Sequence, residues 1–220
     1  MKKAFFLLLS SFKKIIDNYS QDLHDSFYFK YLLKEGVETQ SKNIKMFGKP
    51  IINRYAKSKI VIDSGVTLIS DTKNNLAGIN HPVILATLSQ DAEIIIGKDS
   101  GLSGATICAA KSIKIGTYVG IGANVCIYDT DFHPIDPYER RYEDYKTKSS
   151  PVIIDDYAWI GGNSIILKGV RVGKGSVVGA GSVVTNDVPD FEIHAGNPAR
   201  FIKKIEYNHE THPDLFNACT

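Results

Sequence analysis

Residues 152–188 carry an aliphatic side chain at every sixth position: Ile154, Ile160, Ile166, Val172, Val178 and Val184. The fourth residue after each is small or β-branched: Ala158, Ser164, Val170, Ser176, Ser182 and Val188. A period of six matches neither the 3.6 of a helix nor a solitary strand. Because six is a multiple of two, short strands joined by tight bends return the same face inward at each repeat, and hexapeptide repeats of this kind signal a β-helix. One aliphatic then fills a narrow interior, and the small residue sits near a corner. Gly161, Gly173 and Gly179 follow three of the aliphatics, where glycine permits backbone that other residues resist. Each coil is paired above and below, so only the two ends of the stack expose strand edges.

The grid extends upstream. Ile115, Ile121 and Ile127 form one block and Ile96 and Leu102 another, separated by a one-residue slip near Cys108–Lys111. Ile62 and Leu68 begin a weaker, earlier coil. Residues 71–90 are off the grid, with turn signals at Lys73-Asn74-Asn75 and Asn80-His81-Pro82. The widest break lies between Ile127 and Ile154. Its polar core, 129–150, reads as a loop thrown out of the coil, a usual place for function on a repeat scaffold. The spacing therefore predicts an all-β chain: a β-helix over 44–192 with a protruding loop at 129–150, an N-terminal helical segment over 1–43, and a C-terminal helix or tail over 193–220.

A net charge of +2 on 220 residues offers no field for nucleic acid. Cys108, Cys126 and Cys219 have no metal-ligand spacing; the first two fit buried coil positions, and unpaired cysteines suit a reducing, cytoplasmic compartment. The apolar run from Ala4 to Leu9 follows two lysines but lacks a small-residue cleavage site and is too short to span a bilayer. It reads as an amphipathic helix over Phe5–Ile16 that either packs on the protein or rests on the inner membrane face.

The large loop opens with Asp129-Thr130-Asp131-Phe132-His133-Pro134-Ile135-Asp136. A histidine there faces outward, and an imidazole that can take up and release a proton suits a general base. Asp129 and Asp131 are near enough in sequence to orient it or to bind a polar acceptor; an ordinary polar loop is the plainer reading. With Asp131-Phe132-His133-Pro134, the strings Tyr157-Ala158-Trp159-Ile160-Gly161-Gly162, Gly179-Ala180-Gly181-Ser182-Val183-Val184-Thr185 and Gly196-Asn197-Pro198-Ala199-Arg200 occur in this order on the grid. Residues 94–205 thereby resemble the hexapeptide-repeat acyltransferases of the maltose, galactoside and polysaccharide O-acetyltransferase group.

The resemblance implies a left-handed parallel β-helix, an exception to the right-handed crossover rule, and a homotrimer with active sites between subunits. It implies acetyl transfer from acetyl-CoA to a saccharide hydroxyl, in cell-surface polysaccharide synthesis, without a metal and without a covalent enzyme intermediate. By position, His133 matches the base. Gly162, Ala180 and Thr185 match cofactor contacts, and Arg200 and Lys203 match cations for the CoA phosphates, the plainer reading of both being a solvated basic tail. Trp159 either walls the acetyl tunnel or packs on a neighbouring subunit. Ser103, Asp131, Asp129 and the Asn80-His81 pair are acceptor-side candidates, with His81 equally a turn residue. The insertion 138–150 suits carbohydrate contact or subunit packing. N-acetylation of an amino sugar and a non-catalytic trimeric spacer are the alternatives. A zinc lyase on this fold needs three histidines around the metal, and of His24, His81, His133, His194, His209 and His212 only His133 lies in the central coils.

Overall fold

The computed structural model describes residues 27–39, 41 and 43–206. The expected helix over Phe5–Ile16 and everything beyond Glu206 lie outside these residues. The described chain winds as a left-handed parallel β-helix whose three flat faces are three sheets. Sheet I stacks β1 (Lys45–Phe47), β4 (Thr67–Ile69), β7 (Gly101–Ser103), β10 (Gly120–Ile121), β13 (Trp159–Ile160) and β16 (Val177–Val178), then β18 (Glu192–Gly196) and β19 (Ala199–Lys204). Sheet II stacks β2 (Ile51–Asn53), β5 (Ile84–Thr87), β8 (Thr106–Ala109), β11 (Cys126–Tyr128), β14 (Ile165–Ile166) and β17 (Val183–Val184). Sheet III stacks β3 (Lys59–Ile62), β6 (Glu93–Ile96), β9 (Ser112–Ile115), β12 (Val152–Ile154) and β15 (Arg171–Val172).

The grid becomes three interior files. Ile154, Ile160 and Ile166 pair in register with Val172, Val178 and Val184, three hexapeptides further on. In sheet I the file runs Leu68, Leu102, Ile121, Ile160, Val178, all buried. The small residues at the second inward position do more than save volume. Ser164 and Ser182 donate their buried hydroxyls to the Gly179 carbonyl at 3.0 and 2.6 Å, tying successive corners together. Coils approach closely at Gly161, where a Cβ would stand 2.5 Å from the Ala180 backbone nitrogen. Gly161→Ala is expected to destabilise the fold by about 1–3 kcal/mol, as overpacking does, and denaturant unfolding checks it.

The slip between the repeat blocks resolves into two offsets. Ile107 arrives one residue early after Leu102, and the corner before Ile115 then runs two residues long. The last coil closes short, with Val188 bridging to Val172. Left-handed residues line the corner between sheets I and II as a column: Gly104, Asn124, Asn163 and Gly181.

Both ends of the stack are covered. At the N-terminal end, residues 27–34 form a helix (α1) whose Leu32 is fully buried, and the Tyr31 hydroxyl donates to the Pro50 carbonyl at 3.0 Å. The other end departs from expectation. A helix or tail was expected from residue 193, but 192–204 is a β-hairpin that adds β18 and β19 to sheet I. The turn at Gly196 (φ +103°) and Pro198 breaks any helix there, while β18 finds a ready edge on β16. His194 occupies the interior file after Val178 and pairs with Glu192 at 2.9 Å, so a polar pair ends the apolar column.

Candidate active site

The protruding loop leaves sheet II at the end of β11 and returns at β12, from the corner between sheets II and III. It is more ordered than a plain loop. Asp136 caps a six-residue helix, α2 (Pro137–Tyr142), accepting from the Tyr138 and Glu139 amides at 2.9 Å. Aspartate before proline at a first helical position is a start signal that was present in the sequence. A short 3-10 turn, Asp144–Lys146, follows, and Lys146 joins Glu139 and Glu143.

The loop is stitched at its base. Thr130 bridges Ser149, whose hydroxyl donates to Thr130 Oγ1 at 3.0 Å. The Ser150 amide donates to the Asp129 carbonyl and the Asp131 amide to the Lys148 carbonyl. Phe132 takes a left-handed backbone (φ +63°), and its ring meets Tyr128 edge-on at 5.2 Å. His133 then emerges exposed, held between this turn and the buried Pro134.

The two aspartates part ways, and the expectation for one of them is corrected. Asp129 is fully buried. Its carboxylate accepts from the Ala110, Lys111 and Ser112 amides at 2.6, 2.7 and 2.6 Å. These amides belong to the overlong corner of the preceding coil, so Asp129 supplies the acceptors that the slip removes. It is a structural plug, and no acceptor molecule reaches it. Asp131 instead forms an ion pair with Lys168 at 2.7 Å across to the next coil. Sequence reasoning missed Lys168, since nothing in a turn lysine after Leu167 announces a partner in the loop.

The remaining candidates lie along sheet I and its edge with sheet II. Gly162 and Ala180 stand on successive coils of that corner, where the Gly181 amide donates to the Gly162 carbonyl at 2.9 Å. Trp159 points outward from β13, 58% exposed, over the bare backbone of Gly120. Ser103 ends β7 just before the same corner. Arg200 lies opposite Ala195 in the terminal hairpin and Lys203 opposite Ile193, both exposed. Thr185 falls at the far end of β17, one corner away. Asn80 and His81 belong to the off-grid loop, which Asn124 pins by accepting from the Asn80 amide and donating to the Gly78 carbonyl. The His81 ring bonds its neighbour, the Pro82 carbonyl, as a turn residue does. Within one chain, His133 and Asp131 thus stand on the corner between sheets II and III. Gly162, Ala180 and Arg200 stand on the corner between sheets I and II.

Cys108 and Cys126 are free thiols on the outer side of sheet II. Burial, then Cys126 and Asp129, push the Cys108 thiol up to about 11. Burial, with help from Cys126, likewise raises the Tyr128 phenol. At pH 8 only about a thousandth of Cys108 is thiolate, far too little for a nucleophile. Iodoacetamide is expected to modify Cys108 more slowly than a free thiol by about a hundredfold at that pH, read by peptide mass spectrometry. Among the described residues no group of three or more His, Cys, Asp or Glu side chains could hold a metal ion.

Residues 151–186 match the family described as the hexapeptide repeat of succinyl-transferase. A galactoside O-acetyltransferase of Lactococcus lactis is 39% identical over 50% of this chain, and the match spans 55% of its own length. A Staphylococcus aureus protein named as an acetyltransferase is 33% identical over 73% of this chain and 85% of its own. Among solved structures, a maltose O-acetyltransferase from Clostridium difficile is 29% identical with a TM-score of 0.50, covering 78% of this chain and 71% of that one. The fold and these matches define a hexapeptide-repeat transferase. The chain belongs to the hexapeptide-repeat acetyltransferase family.

Proposed function

We propose that this chain transfers an acetyl group from acetyl-CoA to a hydroxyl of a saccharide, with His133 as the general base. The observation that carries the reading is His133 itself: an exposed imidazole on a loop whose base is fixed by paired backbone and an ion pair. The names of the similar galactoside and maltose O-acetyltransferases favour a sugar hydroxyl as acceptor.

The neutral imidazole takes the proton as the hydroxyl oxygen attacks the thioester carbonyl. The C–O bond forms, backbone amides hold the oxyanion, and the C–S bond then breaks. The departing thiolate takes the proton back from the imidazolium. Most of the remaining acceleration comes from holding two substrates in line. Gly162 and Ala180 offer the pantetheine arm a corner with little or no side chain, with Thr185 and Trp159 on flanking surfaces. Arg200 and Lys203 meet the phosphates.

His133 and the Gly162–Ala180 corner stand on different edges of one prism, so the complete site needs the loop of one copy beside the corner of another. A homotrimer satisfies this. The outer residues of sheet II support close packing: Thr106, Cys108, Cys126, Tyr128, Ile165 and Val183 carry no charge. Sheet III is faced instead by ion pairs such as Glu93–Lys114 and Asp155–Arg171, as suits solvent. Among the described residues no helix is long and apolar enough to cross a membrane. With free thiols at Cys108 and Cys126 among the described residues, the chain suits the reducing cytoplasm, and synthesis of a surface polysaccharide at the inner membrane face is the setting we propose.

The test is transfer from labelled acetyl-CoA to a panel of neutral and amino sugars. An alkali-labile ester on a neutral sugar is the expected product. An alkali-stable amide, formed only with amino sugars, would overturn the hydroxyl assignment in favour of N-acetylation. Absence of CoA binding by calorimetry would leave a trimeric spacer.

A further inference from the structure

The Lys168–Asp131 ion pair sits where the protruding loop meets the coil after it. Lys168 belongs to the turn Leu167-Lys168-Gly169 between β14 and β15, on the same corner from which the loop departs. Its Nζ lies 2.7 Å from Asp131 Oδ1, and the two side chains are 29% and 26% exposed. Next to it, the Gly169 amide donates to the Ser150 carbonyl at 3.0 Å, fastening the returning strand of the loop to this turn. The outgoing strand is linked to the turn through the Asp131 carboxylate. Two residues later stands His133, after the left-handed Phe132.

We infer that Lys168 is a positioning residue: through Asp131 it sets the direction in which the chain delivers His133. The inference rests on His133 being the base and deepens that reading. It also changes the part given to Asp131. A carboxylate paired at 2.7 Å spends an oxygen on the ammonium, so Asp131 aims the loop from the coil side. Charge-assisted bonds between partly buried groups are the stronger kind and fix geometry as well as energy. Removing the lysine leaves a half-buried carboxylate that moves towards water and carries Phe132 and His133 with it. Catalysis is sensitive to shifts of about 1 Å, which cost about a hundredfold in rate.

The test compares Lys168→Met with Lys168→Arg. Methionine keeps the length of the stem and removes the charge; arginine restores a donor. In Lys168→Met, kcat is expected to fall by about 10- to 100-fold, with KM for acetyl-CoA and the CoA affinity unchanged. Lys168→Arg is expected to recover kcat to within about threefold of wild type. A second readout needs no substrate: the His133 ring resonances in NMR, assigned with His133→Gln, shift in Lys168→Met and return in Lys168→Arg. Wild-type kcat and unmoved resonances in Lys168→Met would overturn the positioning role. An equal loss in Met and Arg variants, or a loss confined to thermal stability, would also overturn it. If instead His133→Ala turns over like wild type, the base assignment fails, and the resonances alone then judge the latch.

Discussion

His133→Ala is expected to lower kcat by about 100- to 10,000-fold, with calorimetric CoA affinity unchanged. The size follows from what general-base help contributes to a neutral hydroxyl, which attacks a thioester slowly without it. The selectivity follows from place: His133 sits on the protruding loop, and the proposed cofactor corner at Gly162 and Ala180 belongs to another edge of the prism. The substitution removes an exposed side chain between a turn and a buried proline, so the fold should melt as wild type does. A large rise in the CoA dissociation constant would place His133 in cofactor binding.

Asp129→Ala is expected to be the most damaging substitution to stability, costing about 3–5 kcal/mol in denaturant unfolding. Three buried amides lose a charged acceptor at once. Hydrogen bonds to a charged group are each worth about 1.5–3 kcal/mol, and donors left unsatisfied carry their full desolvation cost. Local rearrangement and entering water reduce the simple sum. Asp129→Asn keeps one acceptor oxygen but presents an amide group to a ring of donors, so it should recover only part. Were Asp129 an acceptor-binding residue, Asp129→Ala would raise the acceptor KM and leave the unfolding midpoint in place.

The two aspartates show how far residues alone lead. The hexapeptide grid made the three interior files and the place of the loop legible, because a period of six admits little else. It marked His133 as outward, since the loop leaves the coil just before it. It could not separate Asp129 from Asp131. The donors that claim Asp129 come from Ala110–Ser112 of the coil below, and they lack rung partners because of a register offset that exists only once the coils stack. The partner of Asp131 lies in a turn of the coil above. The C-terminal hairpin was hidden for a different reason. Its first strand pairs with β16 and its second with the first, and the need to close the end of a stack is a property of the assembled prism. Alternation around Glu192–His194 and the Gly196-Asn197-Pro198 turn were the available signals.

Complementation between two inactive variants tests most directly the claim that the loop of one copy works on the cofactor corner of another. Ala180→Trp fills the exposed corner with an indole, and His133→Ala removes the base; each alone should be inactive. The two are co-expressed with different tags, and assemblies carrying both tags are purified in sequence. In every mixed trimer one of the three interfaces joins an intact loop to an intact corner, so about a third of wild-type acetyl transfer should return. Mixed assemblies that remain as inactive as either parent would contradict a site shared between copies.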